Sequence, residues 1–200
     1  MKTKIQLLFM LLAVACLSML SCKGDEEEIQ PEPLLQGNLL LTSQEAVNEA
    51  GLKGHIDIRG SLIITDSLST GESPITDLSA LASIETISGD LIVRGTGILA
   101  NLDGLNGLGE IRGDITIESN QSLLNINALG GVTSFSNPVI KVNDNFILRN
   151  LEGLNQMDRV ESIFISGNNR LVSLDGLQSL DGVPGWFTIK TCKPRWTSKS

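Results

Sequence analysis

Tyrosine is absent, histidine occurs once, and aromatic residues make up only 4% of the 200-residue chain. A lone histidine and three cysteines leave no His/Cys set with metal-ligand spacing, so no metal or cofactor is expected. Lysine and arginine total 15 against 23 acidic residues, a formal charge of −8, and no basic stripe interrupts the acidity. Nucleic acid and anionic membrane surfaces are therefore not expected as partners, because phosphate recognition rests on clustered cations.

What the chain has instead is a repeat. Between Leu39 and Cys192 a template L-x-x-L-x-x-L-x-x-L-x-x-I-x-G-x-I-x-I-x-x-N recurs. Its clearest copy is Leu99, Leu102, Leu105, Leu108, Ile111, Gly113, Ile115, Ile117 and Asn120. Ile75 to Thr96 precedes it, while Leu123 to Asn145, Leu148 to Asn168 and Leu171 to Cys192 follow. A looser copy runs from Leu52 to Ser67, and Gly37 to Leu41 reads as a further strand at the front. The apolar pair at spacing two is a half-buried strand, and the run at spacing three suits a bent or 3₁₀-like return.

One such unit buries about eight side chains at roughly 1.5–3 kcal/mol each, against some 24 residues ordered at about 1–2 kcal/mol each. A single copy should not fold, whereas stacked copies bury each other's rims and pair their strands in one parallel ladder. The expected fold class is mainly β: a right-handed single-stranded β-helix, or leucine-rich-repeat-like solenoid, of about six to seven coils over residues 37–192 with a short N-terminal capping helix. Thr42-Ser43-Gln44-Glu45 is the capping-box signal for that helix, with Gly51 as its expected end.

The position three residues after the second strand residue reads Ser67, Thr96, Asn120, Asn145, Asn168 and Cys192. Every member can hydrogen-bond, so the column reads as a structural polar ladder at the corner where the chain leaves the sheet. Asp103, Asn127, Glu152, Asp175 and Ser79 form a second column, read as turn chemistry rather than as a calcium site. His55 occupies an apolar-position equivalent and reads as core or edge filler.

The N-terminus carries Lys2 and Lys4 ahead of an apolar run from Ile5 to Leu20, the pattern of a signal peptide over residues 1–21. Met19-Leu20-Ser21-Cys22 resembles a bacterial lipobox, which implies cleavage before Cys22 and lipidation of that residue. Removal of Lys2 and Lys4 takes the formal charge from −8 to −10. Residues 22–36 follow as an acidic tether containing Asp25, Glu26, Glu27, Glu28, Pro31 and Pro33. This tether resembles the export signal of surface lipoproteins in one Gram-negative group, so the expected location is the outer membrane, lipid-anchored and displayed at the cell surface, with the periplasmic face as the alternative. With Cys16 removed and Cys22 acylated, Cys192 has no partner for an intramolecular disulfide. Residues 193–200 abandon the template as an irregular basic tail.

The units I-R-G-D-I-T-I-E-S-N at Ile111 to Asn120, I-S-G-D-L-I-V at Ile87 to Val93, and L-D-G-L at Leu102 to Leu105 and Leu174 to Leu177 resemble the receptor L domain family. More distantly they resemble leucine-rich repeats. The resemblance implies a layered β fold and a binding role whose partner is set by the non-repeating surface. Pro138, which offsets Asn137 from the usual Gly, departs from the pattern.

Outward strand positions are free to vary, and there Val139, Lys141, Phe164 and Trp186 should cluster as a candidate ligand-binding patch. Two readings fit Phe164 and Trp186: a protein or glycan contact, or a makeshift cap beneath the tail. Asp90 and Asp114, neighbours across strands, offer the paired carboxylates that a glycan-active enzyme would need, but on an open face. The favoured function is a non-enzymatic binding or adhesion module, without catalytic residues, held to the membrane by its lipid. An envelope assembly component is the alternative.

Overall fold

The computed structural model describes residues 34–66 and 73–190. Cys22, Ser67 and Cys192 lie outside the described residues, as do the signal peptide, nearly all of the tether and the tail.

The segments Leu-Ile-Ile-Thr, Leu-Ile-Val-Arg and Ile-Thr-Ile-Glu alternate buried and half-exposed side chains, as β-branched residues on a sheet with one buried face do. They form β4 (Leu62–Thr65), β6 (Leu91–Arg94) and β8 (Ile115–Glu118). With β2 (Leu39–Leu41), β10 (Val139–Asn143), β11 (Ser162–Ser166) and β12 (Phe187–Lys190) they make a seven-stranded sheet in the order β2-β4-β6-β8-β10-β11-β12. Every pairing in it is parallel. One row of register partners runs Ile63, Ile92, Thr116, Lys141, Phe164, Thr188.

A second parallel sheet holds five two-residue strands: β1 (Leu34–Leu35), β3 (Asp57–Ile58), β5 (Thr86–Ile87), β7 (Glu110–Ile111) and β9 (Ser134–Phe135). Strands of the two sheets alternate along the chain from β1 to β10, after which β11 and β12 both join the long sheet. Leu34 and Leu35, expected within the tether, are instead the first strand of this sheet and pair with Asp57 and Ile58. Short 3₁₀ turns occupy the spacing-three run at Ser79–Leu81, Asn127–Gly131 and Glu152–Leu154.

The core is a set of stacked apolar columns. Leu78, Leu102, Ile126 and Leu151 are fully buried, as are Ile87, Ile111, Ile115, Ile117, Ile140 and Ile163. Burial fails in the last repeat. Leu174 is 43% exposed and Phe187, expected to point inward, is 56% exposed. Each middle repeat is covered on both sides by its neighbours, whereas β12 is the edge of its sheet and has a repeat on one side only.

Helix α1 (Gln44–Lys53) packs at the opposite end, burying Val47 and Ala50. Its N-cap is Ser43, whose hydroxyl accepts the amide of Ala46 at 3.2 Å. The helix passes through Gly51 and stops at Gly54, which is left-handed with φ 60° and donates to the Gly51 carbonyl. Gly51 serves close approach rather than termination: a Cβ there would sit 2.5 Å from the Ala80 carbonyl oxygen. Gln44 fastens the following repeat, its Oε1 accepting the amides of Thr76 and Asp77 while its Nε2 donates to the Asp77 carbonyl. Among the described residues no helix is long and apolar enough to cross a membrane.

Candidate functional site

Three columns of polar side chains run from repeat to repeat, and they set the groups that hold the fold apart from those on the open sheet face. In the first, at the corner after the long strands, Thr96, Asn120, Asn145 and Asn168 are joined. The Asn120 Oδ1 accepts both the amide and the hydroxyl of Thr96, at 3.1 and 2.8 Å. Asn145 Oδ1 accepts the amide and Nδ2 of Asn120, and Asn168 Oδ1 does the same for Asn145. The spare Nδ2 protons go to the carbonyls of Val93, Ile117 and Val142. All four residues are buried. Each amide thus satisfies a backbone N–H and a backbone C=O that water does not reach. At the front, Asp66 serves the same corner, accepting the amides of Ile75 and Gly97 with its two oxygens.

The second column precedes the long strands and is not apparent from the template. Asn38 Oδ1 accepts the amide of Ser61, and the Ser61 hydroxyl oxygen accepts that of Asp90. Asp90 Oδ1 accepts the amide of Asp114, and Asp114 Oδ1 that of Val139. Val139 has no side-chain acceptor to continue the series, which resumes where Ser162 Oγ accepts the amide of Trp186. Asp90 and Asp114 are therefore tied through Oδ1 to the backbone of the next repeat.

The third column marks the turns. Acceptors lie two residues ahead of those singled out by sequence: Asp77, Asn101, Asn125, Asn150 and Ser173 take the amides of Ser79, Asp103, Asn127, Glu152 and Asp175. The Ser79 hydroxyl also donates to Asp77 Oδ2 at 2.6 Å. These bonds, the Ser79 hydroxyl first, lower the Asp77 pKa below its ordinary value.

The outward face of the long sheet is left. Lys141 lies opposite Phe164, and Phe164 opposite Thr188. Together with Asn143, Ile165, Ser166 and Lys190 they line a shallow cleft of about 300 Å³. Two lysines and one half-buried ring share this lining, which contains no carboxylate. Val139 sits two positions down the strand, opposite Ser162 and half-buried. Trp186 precedes β12, is 73% exposed, and hydrogen-bonds through its backbone to Ser162 and Ile163. The structure thus brings Lys141 and Phe164 together and adds Lys190, which spacing alone does not single out. Val139 and Trp186 stand beside this cleft rather than in its lining.

On the short sheet, Arg112 Nε pairs with Glu110 at 2.9 Å, with both side chains accessible to water. The guanidinium hydrogen bond lowers the Glu110 pKa and raises that of Arg112. His55 is buried, and its backbone carbonyl accepts the Ser83 hydroxyl.

Residues 34–180 match the family model of the receptor L domain. The chain belongs to the receptor L domain family. It matches no curated protein and no solved structure. The match spans the repeats from β1 through the run of apolar residues ending at Leu180, so the receptor L domain includes all of the short sheet and the long sheet up to β11. Membership points to a ligand-binding module. In this receptor L domain the structural columns account for the polar residues at the strand ends and turns, and the long-sheet face offers the grouped cations and aromatic ring.

Proposed function

We propose that this receptor L domain is a non-enzymatic binding module carried on the cell envelope by a lipid on Cys22. In this reading the repeats wind as a right-handed β-helix of six to seven coils, and the face of the seven-stranded sheet meets a protein or glycan partner. The observation that carries it is the cleft of Lys141, Phe164 and Lys190. A ring and two lysines in one cleft, on a rigid sheet and clear of the hydrogen-bonded columns, suit an anionic or hydroxyl-rich surface. The apolar run before Cys22 and the acidic tether after it support anchoring and display.

Two measurements test this. Protease shaving of intact cells, followed by blotting, removes the domain if it is displayed; protection until the outer membrane is broken favours the periplasmic face and an assembly role. Phe164→Ala combined with Trp186→Ala lowers attachment of the displayed domain to host-protein and glycan arrays by at least about tenfold, the scale of a truncated interface anchor. Its melting temperature stays unchanged. A double variant that unfolds instead makes these residues part of the core or a cap.

A further inference from the structure

The corner between the short and long sheets has a constant length in the first repeats. Leu62 lies four residues after Ile58, Leu91 four after Ile87, and Ile115 four after Ile111. Then the rule breaks twice in succession. Ile140 lies five residues after Phe135, through Asn137 and Pro138, and Ile163 only three after Val160. Neighbouring corners that differ by two residues cannot lie in register.

The short sheet shows the result. Arg59 donates to Leu35, Ser88 to Ile58 and Arg112 to Ile87, each amide reaching the carbonyl of the repeat before it. In the next two repeats the series stops: among the described residues Ser136 makes no backbone bond to Ile111, and Glu161 reaches Pro138 instead of Phe135. Among the described residues no backbone hydrogen bond joins residues 133–136 to 157–160, and β9 ends the sheet. Pairing resumes only beyond, where Arg159 bridges Gly182 in parallel and Asp181 donates to the Asp158 carbonyl. Asn137 absorbs the extra residue with φ 56°, in the left-handed region, and its Nδ2 donates to Glu161 across the corner.

A cleft of about 720 Å³ lies at this break, lined among others by Phe135, Asn137, Asp158, Arg159 and Asp181. One wall is the outer edge of β9, where the amide and carbonyl of Phe135 and the carbonyl of Thr133 have no backbone partner among the described residues. The other is the chain at Asp158 and Arg159. Two strand edges that lack their usual partners offer the donors and acceptors that an added strand would satisfy. Asp158 and Asp181 outnumber Arg159 in the lining, so positive charge is the complement.

We propose that this cleft binds an extended peptide segment bearing a lysine or arginine, which adds its backbone to the open edge of β9 and sets its cation against Asp158 and Asp181. The site lies on the short sheet and does not depend on the long-sheet cleft.

The probe is a fluorescein-labelled hexapeptide of alternating threonine and lysine, titrated against the full chain by anisotropy, with amide hydrogen exchange followed in parallel. Binding is expected to slow exchange at Phe135 and Arg159. Asp158→Asn with Asp181→Asn should weaken it at least about tenfold without changing the melting temperature, and Phe164→Ala should leave it unaltered. Deleting Asn137, which restores the four-residue corner, should abolish it; the exchange readout on the unaltered chain stands if that deletion does not fold. No binding at millimolar peptide, binding without protection at Phe135 and Arg159, or equal affinity for a threonine-valine hexapeptide overturns the proposal. Protection of the same amides by a neutral hexasaccharide but not by the peptide also overturns it and makes the site a glycan site.

Discussion

Asn145 Oδ1 receives two hydrogen bonds from Asn120, one from its backbone amide at 3.2 Å and one from its Nδ2 at 2.9 Å, and both residues are fully buried. The same side chain of Asn145 donates to the carbonyl of Ile117 and to Asn168. Three successive repeats are thereby joined through one amide whose oxygen and nitrogen cannot exchange roles.

Asn145→Ala leaves the backbone amide and one Nδ2 proton of Asn120 without an acceptor in the interior. At about 1–3 kcal/mol for each stranded group, the loss should be roughly 3 kcal/mol in chemical denaturation. Asn145→Asp keeps the acceptor but sets a carboxylate against Asn168 Oδ1 and the Ile117 carbonyl. It should be less stable at pH 7 than at a pH low enough to protonate that carboxylate.

Asp114→Ala should cost about 1 kcal/mol, the value of a lost hydrogen bond, because the Val139 amide loses its acceptor. Asp114→Asn, which retains an oxygen in that place, should behave like the parent chain in thermal melts. If instead the parent hydrolyses a member of a glycan panel and both variants lose that activity, the carboxylate is catalytic.

Glycine is required at only some of the turns. Gly104 has φ 111°, and a Cβ there would overlap the carbonyl of Leu78 in the repeat before it. Gly104→Ala must therefore push two repeats apart, and a loss of at least about 2 kcal/mol is expected. Gly182, where an added Cβ would meet nothing within 4 Å, is the control. Gly182→Ala should shift the melting temperature by no more than a surface substitution does.

The pH dependence of stability has a definite sign at Asp77. Its carboxylate is held below its ordinary pKa of 3.8 by the Ser79 hydroxyl and amide. Its contribution is complete above the ordinary value and is lost as pH falls through the lower, folded value. The stability difference between the parent and Asp77→Ala should therefore be largest near neutral pH and shrink below about pH 4, followed by urea unfolding across that range.

Strand register in the long sheet was readable because five copies place β-branched residues at the same spacing, and that row runs from Ile63 to Thr188. The short sheet was not, since a two-residue strand such as Glu110–Ile111 shows no alternation to distinguish it from a bend. Asp90 and Asp114 drew attention as a carboxylate pair because charge is visible in a sequence and the amide it accepts is not. Turn acceptors were displaced for a related reason. The Asp-Gly pair at Asp103 and Gly104 marks the bend, but the oxygen that fixes it belongs to Asn101. Lys190 was not singled out because its place beside Phe164 in one cleft becomes evident only once Ser166 and Lys190 are set opposite each other.

Each long strand pairs with the one that follows it in the same sheet, at separations from 23 residues, as between Leu39 and Leu62, to 29, as between Leu62 and Leu91. Closing one such loop is the entropic obstacle to the first pairing, and every later pairing meets a loop of nearly the same size. Folding speed should then be governed by the length of one repeat rather than by the length of the chain. A version extended by duplicating Leu99–Asn120 together with its connecting residues would gain stability while starting to fold no more slowly.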